Sequence, residues 1–292
     1  MQQFLNLTLN GVVLGTVFAA FALTLVLIFR ATRIINFGQG AQAMFSTYLA
    51  LDLIQRGQSY WVALAAALVS GFLIGALVER FIVRPVETGP EINAVIVTLG
   101  VFVGFIALAS LLFGNQLEAF PAPFSLSGLN AGSVELALTQ NDLFRVAAVL
   151  VAMVALLALF QFTSLGLQLR ASAFGQEVAR LLGVRVGRML TLGWALAGLF
   201  GALAGILIAS GAPISPNFMD GVVVFGFVAA VLGGLDSFVG AVVGGLALGL
   251  TNSYVSGYLA SSLVTLSALA ILIVVLLLKP GGLFSSSVAR KV

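Results

Sequence analysis

The chain has 292 residues, 61% of them hydrophobic and only 8% charged, where a soluble domain carries about 25% charged residues. That balance makes it an integral membrane protein with several crossings. The net charge of +3 comes with no basic run interleaved with aromatics, which excludes nucleic acid as a partner. Cys and His are both absent, which removes disulfides, thiol chemistry, His-based metal sites and His-dependent triads. The two lysines, Lys279 and Lys291, are followed by Pro280 and Val292, so the chain has no phosphate-binding GK[ST] loop of its own.

About 20 apolar residues cross the bilayer as a helix. On that measure the chain reads as nine segments: 7–29, 34–54, 60–78, 92–113, 143–163, 189–210, 221–234, 239–256 and 262–278. The first lacks a basic leader and is of full spanning length, so it reads as a helix and not a cleaved signal. The second carries Asn36, Gly38, Gln39 and Gly40 near its start. Glycines beside amides leave backbone groups free, and in hydrocarbon those groups need protein or water partners. Two forms fit: a broken helix lining a cavity, or an ordinary helix starting near Ala41 behind an interfacial loop 34–40. The seventh is short, bounded by Asp220 and Asp236, and ends in Gly233-Gly234.

Between the fifth and sixth segments lies a polar island, 164–188, with Arg170, Arg180, Arg185 and Arg188 against the single acid Glu177. Phe174, Val178, Leu181 and Leu182 follow helical spacing and share one face. Gln176 and Arg180 share another at i, i+4. Gly183 stands where a left-handed cap is expected, so a short helix over 173–182 is predicted. Two readings fit: the helix is a surface to offer a partner, or the arginines only orient the chain.

If 164–188 is cytoplasmic, alternate connections are too. They hold Arg30, Arg33, Arg80, Arg84, Arg170, Arg180, Arg185, Arg188, Lys279, Arg290 and Lys291, which is 11 of the 13 basic residues. The bias sets the N-terminus outside and the C-terminus inside. The outer connections 114–142 and 211–220 are long and contain prolines; they cap the outer mouth, receive a soluble partner, or are simply long.

Gly11–Ile28 and Thr191–Ile208 share small residues at similar spacing, and each is followed by an irregular segment and two further spans. The halves 1–113 and 189–278 therefore match four by four. Five spans of offset give them opposite orientation, as in inverted-repeat transporters. Gly193, Ala197, Gly201 and Gly205 recur at every fourth position and read as close helix packing. No charged residue sits at the centre of a span as drawn, so there is no evident carboxylate for coupling to an ion gradient. The intramembrane polar groups are neutral: Asn36, Gln39, Thr98 and Ser110, with Thr251 and Asn252 near an outer end. Asp236 reads as a helix N-cap.

Five stretches then carry a family likeness, in order and over nearly the whole chain. They are INFGQG (35–40), ERFIVRPV (79–86), GLQLRASAFGQEVARLLGV (166–184), AAVLGGLDSFVGAVVGGLALGL (229–250) and LLLKPGGLF (276–284). Together they resemble the branched-chain amino acid ABC permeases. Gln39 stands where that family often has His, and Asp236 where it often has Gly.

The resemblance implies an all-α polytopic fold of about eight to nine spans, like a type II ABC importer permease, in the cytoplasmic membrane of a bacterium or archaeon. It implies a single transmembrane domain over 1–292 with an inverted repeat and a broken second helix. It also implies no cofactor in this chain, with ATP and Mg on two separate ATPase subunits, a second homologous permease, and an outside binding protein that delivers cargo. The expected path residues are Asn36, Phe37, Gly38, Gln39 and Thr98; the expected ATPase-coupling residues are Phe174, Gln176, Glu177, Val178, Arg180, Leu181 and Leu182. Branched-chain or similar neutral amino acids are the expected cargo. Urea or short amides in the same family, or a standalone gradient-driven carrier or channel, are the alternatives.

Overall fold

In the computed structural model, residues 2–86, 89–131 and 134–284 are described. Arg290 and Lys291, counted above on the inner side, lie outside them. The chain is helical almost throughout, and the elements follow the hydropathy closely. α1 (Gln2–Thr32) ends where Arg33 takes a φ of 61°, a left-handed turn that no helix continues through. A coil over 33–38 leads to α2 (Gln39–Gln55). The expected break in the second segment is therefore realised as a coil ahead of the helix, and α2 itself is continuous. This is the continuous helix starting near Ala41 that the sequence allowed, and Asn36 in the coil before it is fully buried.

α3 (Tyr60–Leu77) starts at Ser59, whose Oγ accepts from Val62 N. It runs into a π turn (Val78–Val83) and a 3₁₀ turn (Arg84–Val86) before α4 (Glu91–Phe113). α5 (Gln140–Phe162) begins with a capping box: Asp142 N donates to Thr139 Oγ1 at 3.1 Å, and Thr139 N to Asp142 Oδ2 at 3.0 Å. The polar island holds α6 (Ser164–Phe174) and α7 (Gln176–Leu181).

The last four helices are α8 (Val186–Ala209), α9 (Asp220–Gly233), α10 (Phe238–Tyr254) and α11 (Val264–Leu278). α10 also passes into a π turn (Val255–Leu259) and a 3₁₀ turn (Ser261–Leu263). Its cap is Ser237, whose Oγ accepts from Gly240 N at 2.9 Å, and not Asp236 as the sequence reading had it.

Among the described residues, seven helical runs are long and apolar enough to cross a membrane. α2 has 17 residues and α9 has 14. At 1.5 Å per residue they reach about 25 and 21 Å, short of the roughly 30 Å hydrocarbon core. The connections over 114–139 and 210–219 are not simple turns. β1 (Glu118–Ala119) pairs antiparallel with β4 (Pro213–Ile214), and β2 (Gly128–Ala131) with β3 (Val134–Thr139).

Packing divides the chain into two interleaved units: 1–26, 124–153 and 224–292 form one, and 27–123 and 154–223 the other. Within the second, α3 and α8 touch backbone to backbone. A Cβ at Gly71 or Gly198 would overlap the other's carbonyl, and one at Gly75 would overlap that of Trp194. Within the first, α1 and α10 meet the same way: a Cβ at Gly249 would overlap the backbone at Gly15, and one at Gly245 would lie 2.6 Å from Ala19 N. Lipid tails offer helices no hydrophobic incentive to associate, so this close approach supplies the van der Waals contact that does.

One charged clasp reinforces the α3–α8 seam. Glu79 is 2% exposed. Arg84 Nε donates to its Oε1 at 3.0 Å and Arg84 Nη2 to its Oε2 at 2.9 Å. The same guanidinium donates to Gly187 O and to Thr191 Oγ1 at the start of α8. Arg84, counted above among the inner basic residues, is held between Glu79 and the start of α8.

Two predictions follow from this packing. Gly198→Ala and Gly249→Ala should each destabilise the detergent-solubilised chain by about 1–3 kcal/mol through overpacking, seen as a lower thermal midpoint. Gly104→Ala, at a helical glycine with no atom within 4 Å, should change stability by no more than about 0.5 kcal/mol. Arg84→Gln should cost about 3 kcal/mol by stranding a buried carboxylate. Glu79→Gln/Arg84→Gln should cost less than the single change.

Candidate functional site

The expected path residues form one cluster where α2, α4 and α8 meet. Asn36 Oδ1 accepts from Gly38 N at 3.0 Å, which folds the coil back on itself. Asn36 Nδ2 donates to Gln39 Oε1 at 3.0 Å, and Gln39 Nε2 donates to Ala197 O on α8 at 2.8 Å. Gly201 permits that reach, since a Cβ there would overlap Gln39 Nε2. Gly38 sits against α4, where a Cβ would lie 2.8 Å from Val101 Cγ1 and 3.0 Å from Thr98 O. Thr98 bonds back to Val95 O at 3.0 Å, and Phe37 is half-buried.

Asn36, Gln39 and Thr98 are all fully buried. In this conformation the two amides are satisfied by each other and by backbone, so the cluster is a closed connector that ties the start of α2 to the middle of α8. One residue beyond the expected set belongs with it. Gln42, a turn further along α2, is buried with neither amide atom hydrogen-bonded. The i, i+3 recurrence of amides at 36, 39 and 42 was the available signal.

The polar island takes a different form from the single helix over 173–182. Gly175, at φ −164° and ψ 95°, is extended and splits it into α6 and α7. α7 then closes as expected: Gly183 has φ +81°, Gly183 N donates to Arg180 O at 3.0 Å, and Val184 N to Ala179 O at 2.9 Å. Ala179 packs inward with Val186 and Leu190. The large apolar residues point away from the chain: Phe174 is 80% exposed, Val178 61%, Leu181 88% and Leu182 77%. Arg180 Nη2 reaches Gln176 Oε1 at 3.4 Å, and Glu177 is exposed.

Arg33 lies 5.2 Å from the centre of the Phe29 ring and also beside Phe174. Its guanidinium lies 5.4 Å from the centre of the Phe174 ring, within cation–π range. Its backbone makes the left-handed turn that opens the coil to Asn36 and Gln39. A cavity of about 360 Å³ is walled by Thr32, Ile34, Pro90, Ala94 and Gln176, so the coil has room on the side of α7.

Comparison with known proteins now adds to this geometry. The permease of Salmonella typhimurium described as the high-affinity branched-chain amino acid transport system permease LivH is 29% identical over 303 residues, covering 99% of this chain and 98% of that one. LivH of Escherichia coli matches at the same identity and coverage. BraD of Pseudomonas aeruginosa, a permease of the same description, is 26% identical over 309 residues, covering 100% of this chain and 99% of that one. A solved metal-chelate type ABC transporter in an inward-facing conformation aligns with a TM-score of 0.52 at 20% identity, over 94% of this chain and 87% of its own, which is a likeness of fold. The model of the family described as the branched-chain amino acid transport system permease component matches residues 7–278, and the chain belongs to that family.

Proposed function

We propose that this chain is a permease subunit of an ATP-driven importer for branched-chain amino acids, paired with a second permease, two ATPases and an outside binding protein. The observation that carries the reading is α7. Val178 and Leu181 stand exposed on this glycine-capped helix, with exposed Leu182 at its end and exposed Phe174 at the end of α6. The sequence has no phosphate-binding loop of its own, and Glu79, the buried carboxylate of the run 60–86, is engaged by Arg84. Energy therefore comes from outside the chain, and α7 is the surface suited to receive it. The names of the full-length relatives support the cargo. The arginine distribution supports a cytoplasmic position for α7, with the N-terminus outside.

In this mechanism, ATPase closure shifts α7, and the movement passes through Phe174 and Arg33 to the coil 33–38. The coil carries Asn36 and Gln39, whose bonds hold α2 to α8. Exchanging those bonds opens the closed connector toward the cargo, and Gln42 is the amide waiting for a new partner.

The inverted repeat fits the same reading. α1–α4 and α8–α11 match element for element: a long helix, a coil, a short helix, a helix ending in a π and a 3₁₀ turn, then a further helix. The first helix of each half packs on the third helix of the other, which accounts for the interleaved units.

Leu181→Asp should lower transport and cargo-stimulated ATPase activity roughly 30-fold, the effect of losing an interface hot spot, with unchanged chain abundance because Leu181 is 88% exposed. Gln176→Ala/Glu177→Ala/Arg180→Ala should uncouple hydrolysis from uptake, and normal coupling in that variant counts against the docking role. The function itself is tested by reconstituting the four components with the binding protein. Loaded binding protein should stimulate ATP hydrolysis and leucine should accumulate; uptake by this chain alone, without ATP, would reject the proposal.

A further inference from the structure

Where α3 ends and α8 begins, a cavity of about 530 Å³ is lined by Arg80, Arg84 and Arg188 and by no acidic side chain. The rest of its wall is largely apolar and includes Phe72, Ala76 and Leu192. Phe72, Ala76, Arg80 and Arg84 recur at every fourth position of one helical run and line the same cavity. Arg84 is engaged through Nε and Nη2 by Glu79, Gly187 O and Thr191, and its Nη1 donates no hydrogen bond among the described residues. Arg80 and Arg188 are exposed, and neither side chain has an ion pair or a hydrogen bond among those residues. Three cations therefore face one carboxylate, that of Glu79, and two positive charges are left uncompensated.

Depth in the membrane adds a second observation. The run Tyr60–Val86 is long and apolar enough to cross a bilayer. From Tyr60 to Arg80 it rises about 30 Å, which is the thickness of the hydrocarbon core. The stacked-edge pair Tyr60 and Trp61 marks the opposite boundary. Arg80 and Arg84 thus stand at headgroup level, with Ala76 and Phe72 inside the hydrocarbon. Leu77 and Phe81, next in sequence to Ala76 and Arg80, are exposed apolar side chains at the same depth.

From this charge at this depth we infer that the cavity binds an anionic phospholipid, its phosphodiester on Arg80 and Arg188 and an acyl chain along Phe72, Ala76 and Leu192. Guanidinium groups present paired N–H donors that match phosphate oxygens. Basic pockets between spanning helices suit acidic headgroups. A soluble phosphate would gain nothing from the apolar wall, so the wall selects a lipid. Held there, the lipid ties the end of α3 to the start of α8 beside the Arg84 clasp. The orientation proposed above makes it a lipid of the inner leaflet. The binding itself is independent of the cargo and of the ATPase.

The test uses the full chain, purified in a mild non-ionic detergent and stripped of lipid. It is titrated with phosphatidylglycerol or with phosphatidylcholine of the same acyl chains, and bound lipid is read by native mass spectrometry. Phosphatidylglycerol should bind more tightly by about tenfold or more. Arg80→Gln/Arg188→Gln should weaken its binding roughly 30-fold, about fivefold per arginine. The thermal midpoint without lipid should be unchanged in that variant, because both side chains are exposed. Arg180→Gln/Arg185→Gln removes the same charge at exposed arginines outside the cavity and should leave the affinity unaltered. Excess glycerol 3-phosphate, a headgroup without chains, should not displace the lipid. Equal binding of the two lipids or unchanged affinity in Arg80→Gln/Arg188→Gln would overturn the site. An equal loss in Arg180→Gln/Arg185→Gln would reduce it to attraction by net charge, and displacement by glycerol 3-phosphate would make the ligand a soluble phosphate; either result rejects the lipid site.

Discussion

The structure depends on how closely two helices can approach in a solvent that does not push them together. Gly71, Gly75 and Gly198 bring α3 and α8 to backbone contact, and Gly15, Gly245 and Gly249 do the same for α1 and α10. In hydrocarbon this contact replaces the hydrophobic effect as the source of association. Side chains at those positions would move the axes apart. The hydrogen bond from Gln39 to Ala197 and the reach of Arg84 to Gly187 and Thr191 both need short interhelical distances. The Arg84 bonds to α8 lie beside the α3–α8 seam, and Gly201 leaves the room that the Gln39 amide occupies on α8.

The same arrangement explains why polar residues are tolerated in so apolar a chain. Asn36 and Gln39 bond to each other and to backbone. Glu79 is buried, but in a two-pronged pair with an arginine that also holds two groups of α8. Each costs desolvation and returns a fixed geometry. Gln42 and Asn252 are the contrast, buried amides with no partner.

Much of this was legible from residues alone. Hydropathy placed all nine apolar segments as helices to within five residues, seven of them in runs long enough to cross, because long apolar runs in a membrane have no alternative to helix. The capping glycine of α7 followed from spacing, as did the exposure of Val178 and Leu181, while Phe174 falls on α6. The misses have physical reasons. Asp236 and Ser237 are neighbours and both are good caps; only the backbone, extended at Ser237 with φ −128° and ψ 114°, selects the second. Gly175 permits helix or extended chain, and nothing local decides between them. Glu79 and Arg84 lie beside a proline in a stretch that reads as a loop, and their burial is set by α8, about a hundred residues later. The β1–β4 pairing is likewise long-range.

The central claim is that α7 is where an ATPase delivers its stroke. The absence of cysteine from the natural sequence makes it directly testable, since a single introduced thiol is unique in the chain. Leu181→Cys and Leu117→Cys, both at highly exposed positions, carry a short photo-activated cross-linker in the assembled transporter. The account predicts a covalent product with the ATPase subunit from position 181 and none from position 117. Equal yields from both, or no ATPase product from 181, would contradict it.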